Sequence, residues 1–227
     1  MRTVLVVDDN AKIVEVLAEY LHTEGFETLT ATDGREALGL AEQHRPDLAL
    51  VDIMLPGLDG LELTRRFQAL DLPVILITAR SDEVDRLIGL EIGADDYITK
   101  PFSPREVVAR AKAVLRRVDR AAQPADAASP IRVGDLTIDP GRRSVVTSSG
   151  PADLTRTEFD ILATMAAHPG RVYTRAHLLE IVSGEAFEGY ERTIDAHVKN
   201  IRRKLGEDPR SPRHLRTVIG VGYKVEE

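Results

Sequence analysis

The stretch Leu48-Ala49-Leu50-Val51-Asp52-Ile53-Met54-Leu55-Pro56-Gly57-Leu58-Asp59-Gly60 constrains the fold of this chain more than any other. Four apolar residues precede Asp52, and Pro56, Gly57, Asp59 and Gly60 follow, so a buried strand ends on an acid where a turn begins. In an open parallel α/β sheet, ligands gather at the carboxyl ends of the strands, where loops and helix starts converge without breaking the ladder. Other strand signals end in matching groups. Val4 to Val7 runs into Asp8-Asp9, Val74 to Ile77 into Thr78, and Tyr97-Ile98-Thr99 into Lys100-Pro101. Three carboxylates, a hydroxyl and an ammonium are the inventory that holds a divalent cation against a phosphoryl group.

Strand signals at 3–8, 26–31, 47–52, 73–78 and 95–99 alternate with helical patterns at 11–24, 34–44, 59–70, 83–92 and 103–118. In the first helix Ile13, Leu17, Tyr20 and Leu21 share a face, and Gly25 stops it. Asp33-Gly34 reads as a turn, and Ser103-Pro104 as a helix start with serine as cap and proline at the first helical position. Five βα units in 118 residues predict one doubly wound domain with a five-stranded parallel sheet.

Residues 119–130 are small, polar and proline-containing and read as a linker. From 131 to 227 the pattern changes to short strands at 131–133, 135–139, 143–147 and about 152–154, with turns at Pro140-Gly141 and Ser148-Ser149-Gly150. Three helices follow: a capped start at Thr155-Arg156-Thr157-Glu158 running to about 167, a second from a Thr174 cap to Val182, and a third from Glu191 to Leu205. Two strands at about 214–218 and 222–225 close a smaller α+β domain.

Composition narrows the function. No apolar run approaches the roughly 20 residues of a membrane span, and no signal-peptide pattern precedes the first strand, so no membrane association and a cytoplasmic protein are expected. The absence of cysteine excludes thiol catalysis and thiolate metal sites. The net charge of −7 hides an asymmetry: residues 190–224 hold 9 Lys+Arg against 4 Asp+Glu, so the acidic total does not exclude nucleic acid.

Val6-Val7-Asp8-Asp9, Asp52 with Met54-Leu55-Pro56-Gly57-Asp59-Gly60, Thr78-Ala79, and Gly93-Ala94-Asp95-Asp96-Tyr97 with Lys100-Pro101-Phe102 resemble the receiver domain of bacterial two-component response regulators. Leu154-Thr155-Glu158-Phe159, Arg192-Thr193-Ile194-Asp195-His197-Val198 to Leu205, and Thr217-Val218-Gly220-Gly222-Tyr223 resemble the winged-helix effector of the OmpR/PhoB class. The resemblance implies a flavodoxin-like receiver (1–118) and a winged helix-turn-helix effector (131–227). The implied function is a DNA-binding transcription regulator activated when Asp52 accepts a phosphoryl group from a sensor histidine kinase.

A carboxylate accepts a phosphoryl group only when both negative charges are neutralised, and a cation beside Asp52 does this. The resemblance makes Asp9 the direct ligand, Asp8 an assisting one and the Met54 backbone carbonyl a third, with Mg2+ as the natural ion and Mn2+ as substitute. Lys100 and Thr78 would take further phosphoryl oxygens. The Lys100-Pro101 bond is expected to be cis. Taken singly, Asp8 fits a loop carboxylate, Lys100 a solvated charge and Thr78 a helix cap.

Further roles follow from the same resemblance. Thr78 and Tyr97 would move on phosphorylation and reshape the face formed by 83–92, 95–99 and 103–118. Arg86, Glu91, Asp95, Asp96, Glu106, Arg110, Lys112 and Arg117 match the charged positions through which phosphorylated receivers form homodimers; intrahelical pairing on an exposed surface is the alternative. In the third effector helix, Ile194, Val198, Ile201 and Leu205 follow core spacing and leave Arg192, His197, Lys199, Asn200, Arg202 and Arg203 for outer faces. Family position makes Arg192 and Arg202 phosphate contacts, sets Lys199, Asn200 and Arg203 at base edges of double-stranded DNA, and leaves His197 to packing or phosphate. A solvated basic face is the alternative. Ile219 replaces a frequent wing arginine, so Arg216, beside Thr217, is the candidate substitute. RNA polymerase is a candidate partner, although Ser183 stands where a frequent tryptophan would support that contact.

Two other classes compete. An aspartyl-phosphate phosphohydrolase also uses Asp and Mg2+, but needs a second acid two residues on, where Met54 stands. Slow hydrolysis of the chain's own aspartyl-phosphate is still expected. A pure protein-interaction module leaves the basic helix unexplained.

Overall fold

The computed structural model describes residues 1–79, 92–122, 129–183, 192–208 and 210–226. The chain divides into two compact units, Met1–Leu115 and Arg116–Glu227. Arg86, Glu91 and most of the helix expected at 83–92 lie outside the described residues.

The first unit contains strands β1 (Arg2–Val7), β2 (Phe26–Ala31), β3 (Leu48–Asp52), β4 (Val74–Ala79) and β5 (Asp96–Lys100). Between them run α1 (Ala11–Thr23), α2 (Gly34–His44) and α3 (Gly60–Ala69); α4 (Pro104–Ala122) follows β5 and contains the division between the units. All four strand pairings are parallel, in the order β2-β1-β3-β4-β5. Strands β1 and β3 are therefore neighbours where the winding reverses, which is where such sheets open a crevice for ligands. Every β3 residue is buried, as a strand covered on both faces requires.

Local chemistry sets the helix starts at this edge. Asn10, Asp33 and Asp59 cap α1, α2 and α3, each accepting backbone N–H groups of the first turn. The Asp33-Gly34 pair is thus a cap followed by the first helical residue rather than a free turn. Pro104 opens α4 as expected, and the helix runs past 118 to Ala122. On α1 the buried residues are Val14, Leu17 and Leu21; Tyr20, expected inside, is 42% exposed because the core stripe falls one position away from it.

The second unit opens with the antiparallel sheet β6 (Ile131–Val133), β7 (Leu136–Asp139), β8 (Ser144–Thr147) and β9 (Gly150–Ala152). Gly150, expected in a turn, starts β9, which begins two residues before the expected strand. Then come α5 (Arg156–Ala166), β10 (Tyr173–Thr174), α6 (Arg175–Ser183), α7 (Arg192–Lys204) and the hairpin β11 (Leu215–Val218) with β12 (Gly222–Val225). Thr155 and Glu158 form a reciprocal capping box at α5, and Thr174 Oγ1 accepts the His177 N–H at the start of α6.

Strand β10, too short to show a pattern in the sequence, adds to β12 in a three-stranded antiparallel sheet. Its approach depends on Gly222: a Cβ there would lie 2.0 Å from the Tyr173 carbonyl oxygen. Phe159, Leu162, Met165, Leu178, Ile194, Val198, Ile201 and Tyr223 belong to one core that joins the helices to the hairpin. No described helix is long and apolar enough to cross a membrane.

Candidate functional site

Three strand ends deliver charge to one point. Asp8 follows β1 and is fully buried, Asp52 ends β3 at 4% exposure, and Lys100 ends β5. Lys100 Nζ reaches Asp8 Oδ2 at 2.8 Å and Asp52 Oδ2 at 2.6 Å. The remaining oxygens are held locally: Asp8 Oδ1 accepts the Asn10 N–H at 2.9 Å and Asp52 Oδ1 accepts the Met54 N–H at 3.2 Å. Carboxylate oxygens of Asp8, Asp9 and Asp52 lie within 4.8 Å of one another, with Asp9 exposed. Three acids against one lysine leave an excess of negative charge with oxygen-only donors, which fits a hard divalent cation.

Burial, and the charge of Asp8, push the Asp52 carboxyl above its ordinary value against the pull of Lys100. Burial works against the Lys100 ammonium, yet its two carboxylate partners hold it above the usual lysine value. Each group of the pair thus depends on the other for its place in a buried setting. The loop behind Asp52 is equally constrained: Gly60 N–H donates to the Ile53 carbonyl at 3.0 Å, and a Cβ on Gly60 would lie 2.1 Å from the Asp52 carbonyl oxygen. Thr78 and Tyr97 are both buried, and the Lys100-Pro101 bond is cis.

The charged positions expected on a receiver surface are placed differently from one another. Asp95, Asp96, Arg110 and Arg117 are buried. Asp95 Oδ2 accepts the Val74 N–H at 3.0 Å, stitching the start of β4. Arg110 pairs with Asp96 at 2.8 Å and with Glu106 at 3.1 Å. Arg117, in the second unit, donates to Thr157 Oγ1 at 2.6 Å. These side chains hold internal contacts, so the alternative of pairing on an exposed surface does not describe them. Lys112 is exposed and pairs with Glu24, which caps the end of α1.

On α7 the core stripe of Ile194, Val198, Ile201 and Leu205 is as expected, but burial extends round the flank through Thr193, Ala196, His197 and Asn200. His197 and Asn200 therefore do not lie on an outer face. The His197 ring makes no hydrogen bond, and burial, then the charges of Arg117 and Lys204, lowers its pKa to about 3, so it is neutral. Arg202 is engaged internally: it donates twice to the Leu215 carbonyl, at 2.9 and 2.7 Å, and once to Thr217 Oγ1 at 2.8 Å. Arg216 pairs with Glu226 at 3.0 Å. Lys199 and Arg203 are exposed, while the Arg192 side chain lies outside the described residues.

One constellation escaped sequence reasoning. Tyr223 OH donates to Asp195 Oδ1 at 2.5 Å, and Arg175 donates to the same oxygen at 2.6 Å and to the phenol oxygen at 3.2 Å. Tyr223 is 28 residues from Asp195 and 48 from Arg175, and no local spacing signals their meeting.

A parallel sheet that gathers a carboxylate cluster and a lysine at its switch point, followed by a three-helix unit closed by a hairpin, defines a receiver joined to a DNA-binding effector. Residues 4–112 match the response regulator receiver domain family, and residues 149–225 match the family described as transcriptional regulatory protein, C terminal. The chain is 42% identical to the alkaline phosphatase synthesis transcriptional regulatory protein PhoP of Bacillus subtilis, covering 100% of this chain and 97% of that one. It is 44% identical to the phosphate regulon transcriptional regulatory protein PhoB of Pseudomonas aeruginosa, over 98% and 96%. The solved structure of DrrB, a Thermotoga maritima OmpR/PhoB homolog, matches all of both chains at 33% identity and a TM-score of 0.51.

The chain belongs to the OmpR/PhoB class of two-component response regulators. It is a phosphorylation-activated, DNA-binding transcription regulator, with the architecture of a transcription factor rather than an enzyme, and its receiver implies a histidine kinase partner.

Proposed function

We propose that Asp52 is the phosphoacceptor, that Asp8, Asp9, Asp52 and the Met54 carbonyl hold Mg2+, and that phosphorylation promotes homodimerisation and promoter binding in the cytoplasm. The observation that carries this reading is the convergence of Lys100 Nζ on Asp8 and Asp52, with Asp9 alongside, at the sheet's switch point.

Bound Mg2+ would supply positive charge against both the acceptor and the incoming phosphoryl group. The chain's own groups do the rest. The Met54 N–H fixes the Asp52 carboxylate, leaving an oxygen to bond phosphorus as the donor's bond breaks. Lys100 exchanges its bond to Asp52 for one to a phosphoryl oxygen, and Thr78 takes another. The added charge, about two negative units near neutral pH, then biases Thr78 and Tyr97 toward a second arrangement. Exposed Lys199 and Arg203 are the α7 cations best placed for a duplex. Hydrolysis of the aspartyl-phosphate is slow because Met54, two residues on, carries no acid or base.

Binding to pooled fluorescent genomic fragments, with Mg2+ and a small phosphodonor present or absent, tests this reading. Donor-dependent tightening in the wild type but not in Asp52→Asn is the expected result. Binding that ignores Asp52 would overturn the switch.

A further inference from the structure

We propose that Arg202 and the Arg175–Asp195–Tyr223 triad are positioning residues that lock α7 to the β11–β12 hairpin, so that helix and hairpin meet a duplex as one rigid surface; this rests on the DNA-binding reading above. The locks engage α7 at two points. Asp195, near its start, takes Tyr223 OH from β12 and Arg175 from α6. Arg202, seven residues later and so on the same side of the helix, forks onto the Leu215 carbonyl and Thr217 Oγ1 of β11. Thr217 pairs with Tyr223 across the hairpin, so the Thr217 branch of one lock and the Tyr223 hydroxyl of the other start from one ladder rung. Both guanidiniums lie over the Tyr223 ring, at 4.9 Å for Arg175 and 5.9 Å for Arg202.

The core stripe of Ile194, Val198 and Ile201 holds α7 through apolar contacts that tolerate small shifts, whereas directional bonds two turns apart fix its roll and slide against the hairpin. Stability alone is a poor reason for the arrangement. The Arg175 and Asp195 side chains are 31% and 42% exposed, and ion pairs that open to water contribute little to folding. What such a network does well is fix geometry, because a guanidinium fork accepts only a narrow range of partner positions. Burial, then the bond to Asp195, pushes the Tyr223 phenol up to about 12, so it stays a donor throughout the physiological range.

The test uses the full chain, phosphodonor-treated, titrated with pooled fluorescent genomic fragments over a range of salt. Arg202→Lys keeps a point charge for a phosphate but loses the fork, and Tyr223→Phe keeps the ring but loses the hydroxyl. Each is expected to weaken binding about tenfold, the scale of losing a charge-assisted bond. The slope of log affinity against log salt should not change, and neither should Asp52 phosphorylation. In the DNA-free protein, Arg202→Lys should speed amide exchange across Leu215–Val218. Unchanged exchange overturns the lock whatever happens to affinity. Wild-type affinity in Arg202→Lys, together with a slope reduced by about 0.9 in Arg202→Gln, would identify a direct phosphate contact and also overturn it. A wild type that binds no fragment at low salt, while exchange still responds to Arg202→Lys, removes the DNA-binding reading and leaves the lock as a feature of the fold alone.

Discussion

The carboxylate cluster of the first unit and the α7 surface of the second are assembled by different rules. In the parallel sheet each functional group stands at or beside a strand end, and all strands point the same way, so position in the chain translates directly into position in space. On α7 periodicity identifies the inner stripe and nothing more. Which flank is buried depends on neighbouring elements: His197 and Asn200 are buried, while Lys199 and Arg203 are exposed. A strand end is a location; a helix face is a location only once its neighbours are known.

Substitutions can break or sharpen this contrast. The largest expected effect is at Asp52: Asp52→Asn abolishes labelling by a phosphodonor, read as loss of the phosphorylated species by intact mass, whereas Arg203→Gln leaves labelling intact and weakens DNA binding. Loss of labelling in both would show that the two regions are not separable.

Next come two close backbone approaches, one chosen from each unit. Gly60→Ala and Gly222→Ala each place a methyl about 2 Å from a carbonyl oxygen and are expected to cost at least about 2 kcal/mol of stability, measured by denaturant midpoint. Wild-type midpoints would mean that the backbone yields readily at these approaches.

The units should then differ in their response to pH. His197 has a folded pKa of about 3, below its unfolded value near 6.5. Its contribution is present above pH 6.5 and is lost as pH falls through the interval down to about 3, on the order of a few kcal/mol at full extent. His197→Gln should flatten the acid slope of stability. Asp52 has the opposite sign: its folded pKa is raised, so its favourable contribution is present below the ordinary carboxylate value and is lost as pH rises. Without metal, Asp52→Asn should therefore raise the first unit's melting midpoint at neutral pH, a gain that disappears in acid. A uniform gain at all pH values would show that the charge is not its source. The smallest effect is expected at the α5 cap, where Thr155→Ala should cost about 1 kcal/mol.

Legibility in the sequence followed the same division. The five strands, the acids at their ends, the helix start at Pro104, the Thr155 cap and the closing hairpin could be read because each is written in a few adjacent residues. Strand β10 could not, since two residues make no pattern and the strand exists only where Gly222 lets β12 come close. The burial of Asp95, Asp96 and Arg110 was equally hidden: charged residues read as surface until a partner is placed beside them, as Arg110 and Asp96 are for each other.

The sequence by itself determined that acids and a lysine stand at the strand ends and roughly where the strands and helices run, because hydrophobic period and turn chemistry are local properties. The tertiary structure alone decided that Lys100 bridges Asp8 and Asp52, that His197 and Asn200 are buried, and that Arg175, Asp195 and Tyr223 form one network. These are contacts between side chains far apart in the chain, and geometry at that range is set by packing rather than by any spacing in the sequence.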